Sequence, residues 1–262
     1  MSASKRLSTL AVAIAAALLA SACSAPPTAT LGPTPSAVPS FTTPASSTTP
    51  APTPGSGVLP PGVLPLGAGP HTAHVMGTGS YPGYTVVVPA AWYDFGGLFV
   101  IKYPSSVPAP VLGISVWDVG QVFRDPCHWQ STGFNPGPSV ADLVTALVAQ
   151  PRRNATTPAD VTLAGYSGRY LELSVPADLK SSTWTDFDTC DVDSGGHRDY
   201  NAWLGNGMGN RHAQVPGQVD RLWVLDVNGQ RLVVDATYSP DTTATDRDEL
   251  QHIVESLRFV AP

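Results

Sequence analysis

Charged residues are nearly absent from the first third of the chain. After Lys5 and Arg6, no Lys, Arg, Asp or Glu occurs until Asp94. Setting that pair aside leaves 12 of the 14 basic residues against 20 acidic ones, which moves the formal net charge from −6 to −8. An acidic folded part disfavours nucleic acid as a partner, and it also disfavours docking onto anionic lipid head groups.

The sequence also lacks an apolar run long enough to span a bilayer, which requires about 20 residues. The run that begins at Leu7 ends near Ala20, after the basic pair and before small residues. A basic start, a short apolar stretch and small residues are the three parts of an export signal. The sequence therefore predicts a signal peptide over residues 1–22.

The end of this signal, LLASAC, resembles the lipobox of bacterial lipoproteins, with Cys23 as the lipidated residue. Leu usually stands three places before that cysteine, whereas this chain has Ala20, and Ala20-Ser21-Ala22 also fits ordinary cleavage and secretion. Ordinary cleavage would leave an odd free thiol, so the cysteine count favours the lipid. The resemblance implies a chain anchored by lipid, palmitate included, at the extracytoplasmic face of the cell membrane.

The segment after Cys23 has almost none of the residues that build a core. Residues 24–67 are mostly Pro, Thr, Ser, Ala and Gly, which cannot bury enough apolar surface to offset the entropy of ordering. We therefore predict that residues 23–67 form a disordered tether with a reach on the order of 100 Å. Ser and Thr beside Pro leave its O-glycosylation open. Residues 68–262 are predicted to form a single globular domain.

Cysteine is scarce, with three in the whole chain. If Cys23 takes the lipid, Cys127 and Cys190 remain in an exported domain, where a disulfide is the expected state. A zinc site is the first alternative, but no C-x-x-C or H-x-x-x-H spacing supports one. A thiolate nucleophile at Cys127 is the second. Its neighbour His128 would point to the opposite side of a strand, so a different base would be required.

Recognisable catalytic motifs are also missing. Gly165-Tyr166-Ser167-Gly168 lacks the G-x-S-x-G form of a serine hydrolase. The alternating glycines of 205–210 have no strand-to-helix context for binding phosphate, so we expect a flexible surface loop there. The acidic stretch 186–199 faintly resembles a calcium loop but lacks its closing glutamate, since Ala202 stands there. We expect a solvated acidic loop held by Cys190, with calcium left open, and we expect no cofactor.

Four residues near that loop are candidates for a ligand or partner surface. Trp184 and Trp203 flank the acidic loop outside any regular pattern, and Asp191 and Asp193 lie within it. Packing at the rim of the core is the alternative for the two tryptophans. Trp117 and Trp223, by contrast, lie in predicted strands and are expected in the core.

Strand and helix signals are clear in the domain. Apolar, β-branched runs predict strands at 84–89, 98–104, 112–119 and 166–176, and Asn228-Gly229 between two such runs predicts a type I′ hairpin over 221–238. Apolar residues at helical spacing predict helices after Ser139 and after Thr243 or Thr245. A long loop is expected over 177–218. This order predicts an α+β fold in which helices cover an antiparallel sheet.

A family resemblance appears at this level of layout. An opening GYTVVVPAAWY, a late hairpin and a closing ELQHIVESLRF resemble the PsbP-type α/β/α sandwich, and DPCHW and QVDRLWVLDVNGQRLVVDATY resemble an uncharacterised group of actinobacterial envelope proteins. Neither resemblance supplies a catalytic motif. They imply a non-enzymatic domain that binds a partner protein, a small ligand or a cell-wall component. The alternative hypothesis is an envelope hydrolase that uses the Asp/His-rich loops of 186–212.

Overall fold

The structure is a computed structural model that describes residues 59–77, 81, 83–103, 112–183 and 185–260. The predicted signal peptide, Cys23, most of the predicted tether and Trp184 lie outside the described residues. No helix among the described residues combines the length and apolar character needed to cross a membrane.

Eighteen strands and two helices occur in the part of the chain that the structure describes. The strands are β1 (Val63–Leu66), β2 (Gly69–Ala73), β3 (Tyr84–Val88), β4 (Trp92–Phe95), β5 (Phe99–Lys102), β6 (Leu112–Trp117), β7 (Val119–Phe123), β8 (Gly133–Phe134), β9 (Asn154–Ala155), β10 (Ala159–Leu163), β11 (Tyr166–Ser174), β12 (Ser181–Thr183), β13 (Asp186–Phe187), β14 (Asn201–Gly205), β15 (Met208–His212), β16 (Val219–Val227), β17 (Gln230–Tyr238) and β18 (Arg258–Phe259). The helices are α1 (Val140–Val148) and α2 (Ala244–Ser256).

The largest sheet has nine strands in the order β1-β4-β5-β6-β17-β16-β11-β10, with β9 paired to β11. Its centre is the hairpin of β16 and β17, whose strands pair antiparallel along their full length. Asn228 and Gly229 have positive φ angles of 55° and 84°, as a type I′ turn requires. The Gly229 N–H also donates to Asp226 Oδ1 at 2.7 Å. The predicted hairpin is confirmed.

One helix lies on each face of this sheet, because side chains alternate between the faces along every strand. Trp223 and Leu225 of β16 share a core with Leu250 of α2. Val224, between them, points the other way and shares a core with Leu143 of α1. The predicted α+β class, an antiparallel sheet with helices packed on it, is confirmed.

Both helices begin at the residues that the sequence indicates. Ser139 Oγ accepts from the Asp142 N–H at 3.1 Å, and the Asp142 carboxylate accepts from the Ser139 N–H at 3.0 Å. This reciprocal capping box satisfies two amides that the first turn of α1 would otherwise leave unpaired. At α2 the Thr243 hydroxyl accepts from the Asp246 N–H at 3.1 Å, so Thr243 rather than Thr245 is the cap.

Two expectations about irregular segments are wrong. Residues 63–66 fall in the predicted tether but form β1, which pairs with β4 from Val63↔Phe95 to Leu66↔Trp92. The predicted long loop 177–218 contains the strands β12 to β15, and residues 205–210 belong to the β14–β15 hairpin rather than to a flexible loop. These strands are short and rich in polar residues, so their apolar periodicity is too weak to predict them.

Candidate functional site

The predicted disulfide between Cys127 and Cys190 is confirmed. It joins positions 63 residues apart, and both sulfurs lie in a small core with Val175, Phe187 and Tyr200. Two backbone hydrogen bonds continue the attachment: the Asp191 N–H donates to Cys127 O at 2.8 Å, and the Asn201 N–H donates to Pro126 O at 2.7 Å. The disulfide and these hydrogen bonds therefore fasten the loop between β13 and β14, and the start of β14, to the chain segment around Cys127.

Two carboxylates of the acidic loop, those of Asp191 and Asp193, accept backbone hydrogen bonds. Asp191 accepts from the Gln130 N–H at 2.9 Å and lies 3.3 Å from the ring of His128. Asp193 Oδ1 accepts from the backbone N–H groups of Gly195 and His197, both at 2.8 Å. Among the described residues, no three His, Cys, Asp or Glu side chains converge as a metal site would require.

Asp125 and Asp199 are two further carboxyl groups near the disulfide. Asp125 Oδ1 accepts from the N–H groups of Cys127 and His128 at 2.9 and 3.2 Å, which folds the segment before the bridge into a turn. Asp199 is partly buried, and this burial together with the nearby Asp193 raises the pKa of its carboxyl group. Since Cys127 is bonded to Cys190, its sulfur is not a free thiolate that His128 could activate.

Trp203 is not a surface residue, and its prediction as part of a ligand surface is wrong. Its side chain is 0% exposed, and its ring meets that of Trp117 edge-on with the centroids 5.8 Å apart. Trp203 lies in β14 opposite Val122 of β7, so strand pairing directs it into the core beneath α1. Trp184 lies outside the described residues, whereas Trp117 and Trp223 are buried as predicted.

Four buried charged residues form a network that the sequence analysis missed. Arg153 Nη2 and Arg211 Nη2 donate to the two oxygens of Asp220, at 2.5 and 2.7 Å. Arg211 Nε also donates to Asp235. Two guanidinium groups thus face two carboxylates with no net charge, and they attach β15 to the central sheet. The one signal in the sequence was the position of Asp220 and Asp235, which alternate with apolar residues on the core side of two strongly apolar strands. That position could have indicated buried carboxylates that need cationic partners.

Burial and charge act in opposite directions within this network. Burial raises the pKa of Asp220, but Arg211 and Arg153 outweigh it and hold that pKa below its usual value. For Asp235 burial prevails over Arg211, so its pKa is raised. A cavity of about 50 Å³ beside Arg211 has room for little more than water. The network is sealed from substrates, and its role is structural.

A larger opening lies at the other end of the same sheet face. Helix α1 has nine residues, about 13 Å, whereas β16 and β17 have nine residues each and extend about 30 Å. The helix therefore covers only the middle of the face, where the side chains are apolar. On this face β16 carries Asp220, Leu222, Val224 and Asp226, and β17 carries Arg231, Val233, Asp235 and Thr237.

The uncovered hairpin end of the face forms a groove of about 430 Å³. We call it the α1 groove. Its walls are residues 138–141 at the start of α1, residues 167–169 of β11, and Asp226, Gly229 and Arg231 of the hairpin. Gly168 backs the groove where the strands approach closely, since a Cβ there would lie 2.1 Å from Val224 O.

Arg231 is the most constrained charge in the α1 groove. Its Nη2 donates to Val119 O at 2.7 Å, and its Nη1 donates to the carbonyl oxygens of Gly137 and Ser139. Its Nε is buried without a hydrogen-bond partner, and no carboxylate lies within ion-pair distance among the described residues. Burial lowers the pKa of this guanidinium, with Asp118 opposing the shift.

None of the titratable side chains proposed for catalysis lines the α1 groove. Within the described residues, His128 and Asp191 meet as a pair on the disulfide side, and His197 lies in the turn closed by Asp193. His212 is largely buried beside Arg211, and burial together with that guanidinium lowers its pKa to about 4. The residues of 126–128, 186–199 and 212 therefore do not converge on the one drug-sized opening described.

Comparisons with known proteins give little further information. No family model matches the chain, and no curated protein matches it. Among solved structures, the chain is similar to the solution structure of cyanobacterial PsbP (CyanoP) from Synechocystis sp. PCC 6803. The two are 13% identical, the match covers 74% of this chain and 94% of that one, and the TM-score is 0.30. No function follows from a likeness at this level.

Proposed function

We propose that this chain is an extracytoplasmic lipoprotein, anchored to the cell membrane through Cys23, whose domain is a binding module rather than an enzyme. The bound molecule is a partner protein, a small ligand or a cell-wall component. Residues 23–62 serve as the tether in this proposal. We also assign the layered domain to the PsbP type on its layout, and the chain to the actinobacterial envelope proteins that its motifs resemble.

The observation that carries the binding proposal is the separation between the groove and the titratable loops. A nucleophile and its base must lie within hydrogen-bond reach of each other and of a substrate pocket. The α1 groove offers Ser139 and Ser167 but no His or Cys, and the Ser139 hydroxyl already caps the helix. A preformed opening with a few polar groups and no His or Cys among its lining residues is typical of recognition.

The alternative is an envelope hydrolase that uses the loops of 186–212. It would need the carboxylates of Asp191 and Asp193 to be free for proton transfer, yet both accept backbone hydrogen bonds. It would also need the partly buried His212 as a base. The lowered pKa of His212 keeps its imidazole neutral at pH 7, but the ring is partly buried and does not line the α1 groove. These contacts favour the binding proposal.

Photo-crosslinking in intact cells tests the proposal. A photoreactive residue is placed at Ser167 in the α1 groove, at Val192 in the acidic loop next to Asp191 and Asp193, or at Glu255 on α2 as the matched control, all three being exposed. We expect one adduct, identified by mass spectrometry, from Ser167 or Val192 and none from Glu255. Equal labelling at all three positions, or none at any, would contradict a specific binding surface.

A further inference from the structure

We propose that the α1 groove binds the free carboxylate end of a short peptide-like ligand. Arg169 and Arg231 face the carboxylate in this arrangement, and Asp226 accepts from an amide N–H of the same ligand. The assignment rests on the proposed binding function and gives that function a ligand chemistry.

The size of the groove fits such a ligand. Pockets that hold small molecules usually measure about 300–1,000 Å³, and the groove measures about 430 Å³. It lies where a short helix stops covering a sheet face, so the opening is built into the fold and does not require a mobile loop.

Arg231 supplies the main reason to expect a negative charge. A half-buried guanidinium normally pairs with a carboxylate, but among the described residues Arg231 donates hydrogen bonds only to carbonyl oxygens, and Asp118 and Asp142 act on it from beyond ion-pair distance. The planar guanidinium matches a carboxylate in shape and in donor spacing. A ligand carboxylate in the groove would give this guanidinium the close ion-pair partner that it lacks among the described residues.

Arg169 offers a second donor at the rim. Its Nη1 pairs with Asp160 Oδ1 at 3.0 Å, but this carboxylate is 92% exposed. Exposed ion pairs contribute little free energy, about 0–1 kcal/mol. A ligand carboxylate held deeper in the groove can therefore replace Asp160 at small cost.

Asp226 distinguishes a peptide-like ligand from a simple anion. Asp226 uses Oδ1 to accept the Gly229 N–H and, among the described residues, shows no bond at Oδ2. A carboxylate in the wall of a groove repels an ion of high negative charge, but it binds an amide donor. A ligand with one carboxylate and adjacent amide groups can pair its carboxylate with the arginines of the groove and donate an amide N–H to Asp226.

The test uses the full-length chain in detergent micelles and two matched probes, N-acetyl-alanyl-alanine with a free carboxylate and the same dipeptide as its terminal amide. Saturation-transfer NMR measures both. We expect the acid to bind and the amide to bind about tenfold more weakly. Inorganic phosphate at the same concentration should not displace the acid. Equal binding of the two dipeptides, or displacement by phosphate, overturns the proposal.

Two pairs of variants locate the binding. Arg169→Gln should weaken the acid about tenfold, whereas Arg258→Gln, which removes the same charge from β18, should not. Ala141→Trp fills the groove and should abolish binding, whereas Ala149→Trp, exposed at the other end of α1, should not. Unchanged affinity in Arg169→Gln and Ala141→Trp overturns the proposal. If a crosslinked adduct then formed from Val192 alone, the proposed binding function would stand, and only the carboxylate ligand of the α1 groove would be overturned.

Discussion

At the scale of single residues, the buried pairing of Arg211 with Asp220 and Asp235 is the most demanding feature of the chain. Burying a charge is unfavourable unless it is paired and hydrogen-bonded. Arg211 meets both carboxylates, and Thr237 Oγ1 lies within 3.0 Å of an oxygen of each, so its one O–H can donate to either. Because each member compensates another, the loss of one leaves a charge that the interior cannot solvate.

We therefore expect Arg211→Met to lower the free energy of unfolding by about 3–5 kcal/mol, because Asp235 loses the one cationic partner that it has among the described residues. Denaturant titration of the variant and the parent measures the difference. The double variant Arg211→Met, Asp235→Leu removes the stranded carboxylate and should recover part of the loss. A single variant within about 1 kcal/mol of the parent would show that the network is not a stabilising element.

His212, next to Arg211, gives the domain a pH dependence in acid. Its pKa is about 4 in the folded chain and 6.5 ordinarily, because burial and Arg211 disfavour the imidazolium. Between these values the unfolded chain binds the proton more readily than the folded chain. The contribution of neutral His212 to the free energy of unfolding is therefore fully present above pH 6.5 and is lost as the pH drops towards 4. Relative to His212→Gln, the parent should lose on the order of 2 kcal/mol over this window, measured by thermal unfolding at pH 7 and pH 4.5. Parallel pH curves for the two proteins would contradict the prediction.

At the scale of elements, local signals decided which parts of the fold could be predicted. The β16–β17 hairpin has Asn228-Gly229 at its turn and α1 has Ser139 at its start, so residues close in sequence specify both. The strands β12 to β15 carry weaker signals: Asn206-Gly207 stands at the β14–β15 turn, but β15 has the sequence MGNRH, which lacks an apolar alternation. They are held by the disulfide and by Arg211, whose partners lie far away or on other strands. The α1 groove could not be predicted because it depends on where a helix stops relative to a sheet.

Removing the disulfide should loosen this second group of strands first. Cross-linking positions 63 residues apart stabilises a chain by about 4 kcal/mol in the chain-entropy model. We expect Cys127→Ser, Cys190→Ser to lose about that much in denaturant unfolding. Amide hydrogen exchange should then accelerate over 186–201 before it does in β16. Uniform acceleration across the domain would contradict a local role for the bridge.

At the scale of the whole molecule, the side chains on the α1 face of the large sheet change in character from one end of the face to the other. The face has a sealed ion network at one end, an apolar middle beneath α1, and an open charged groove at the hairpin. The groove end is open to solvent, so the proposed recognition site and the buried ion network lie at opposite ends of the face.

The anchor predicts where the protein is found. Cys23→Ser should release the chain into the medium, because lipid is the only membrane attachment we propose. Mass spectrometry of the parent should show an acylated Cys23 at the mature N-terminus. The released variant should keep the unfolding midpoint of the parent domain. An unmodified Cys23 on parent protein in the medium would contradict the lipoprotein assignment.

The tether predicts a difference between two proteases. Trypsin cleaves after Lys and Arg, and the sequence has neither between Arg6 and Lys102, whereas elastase cleaves after small residues such as the many Ala and Val of 24–62. We therefore expect brief treatment of intact cells with elastase to release a fragment that begins within 24–62 and ends at the C-terminus, because exposed chain is cut before a packed domain. Trypsin at matched activity should release no such fragment. Mass spectrometry of the supernatant identifies the cut, and a first elastase cut inside β16 or α2 would contradict an extended tether.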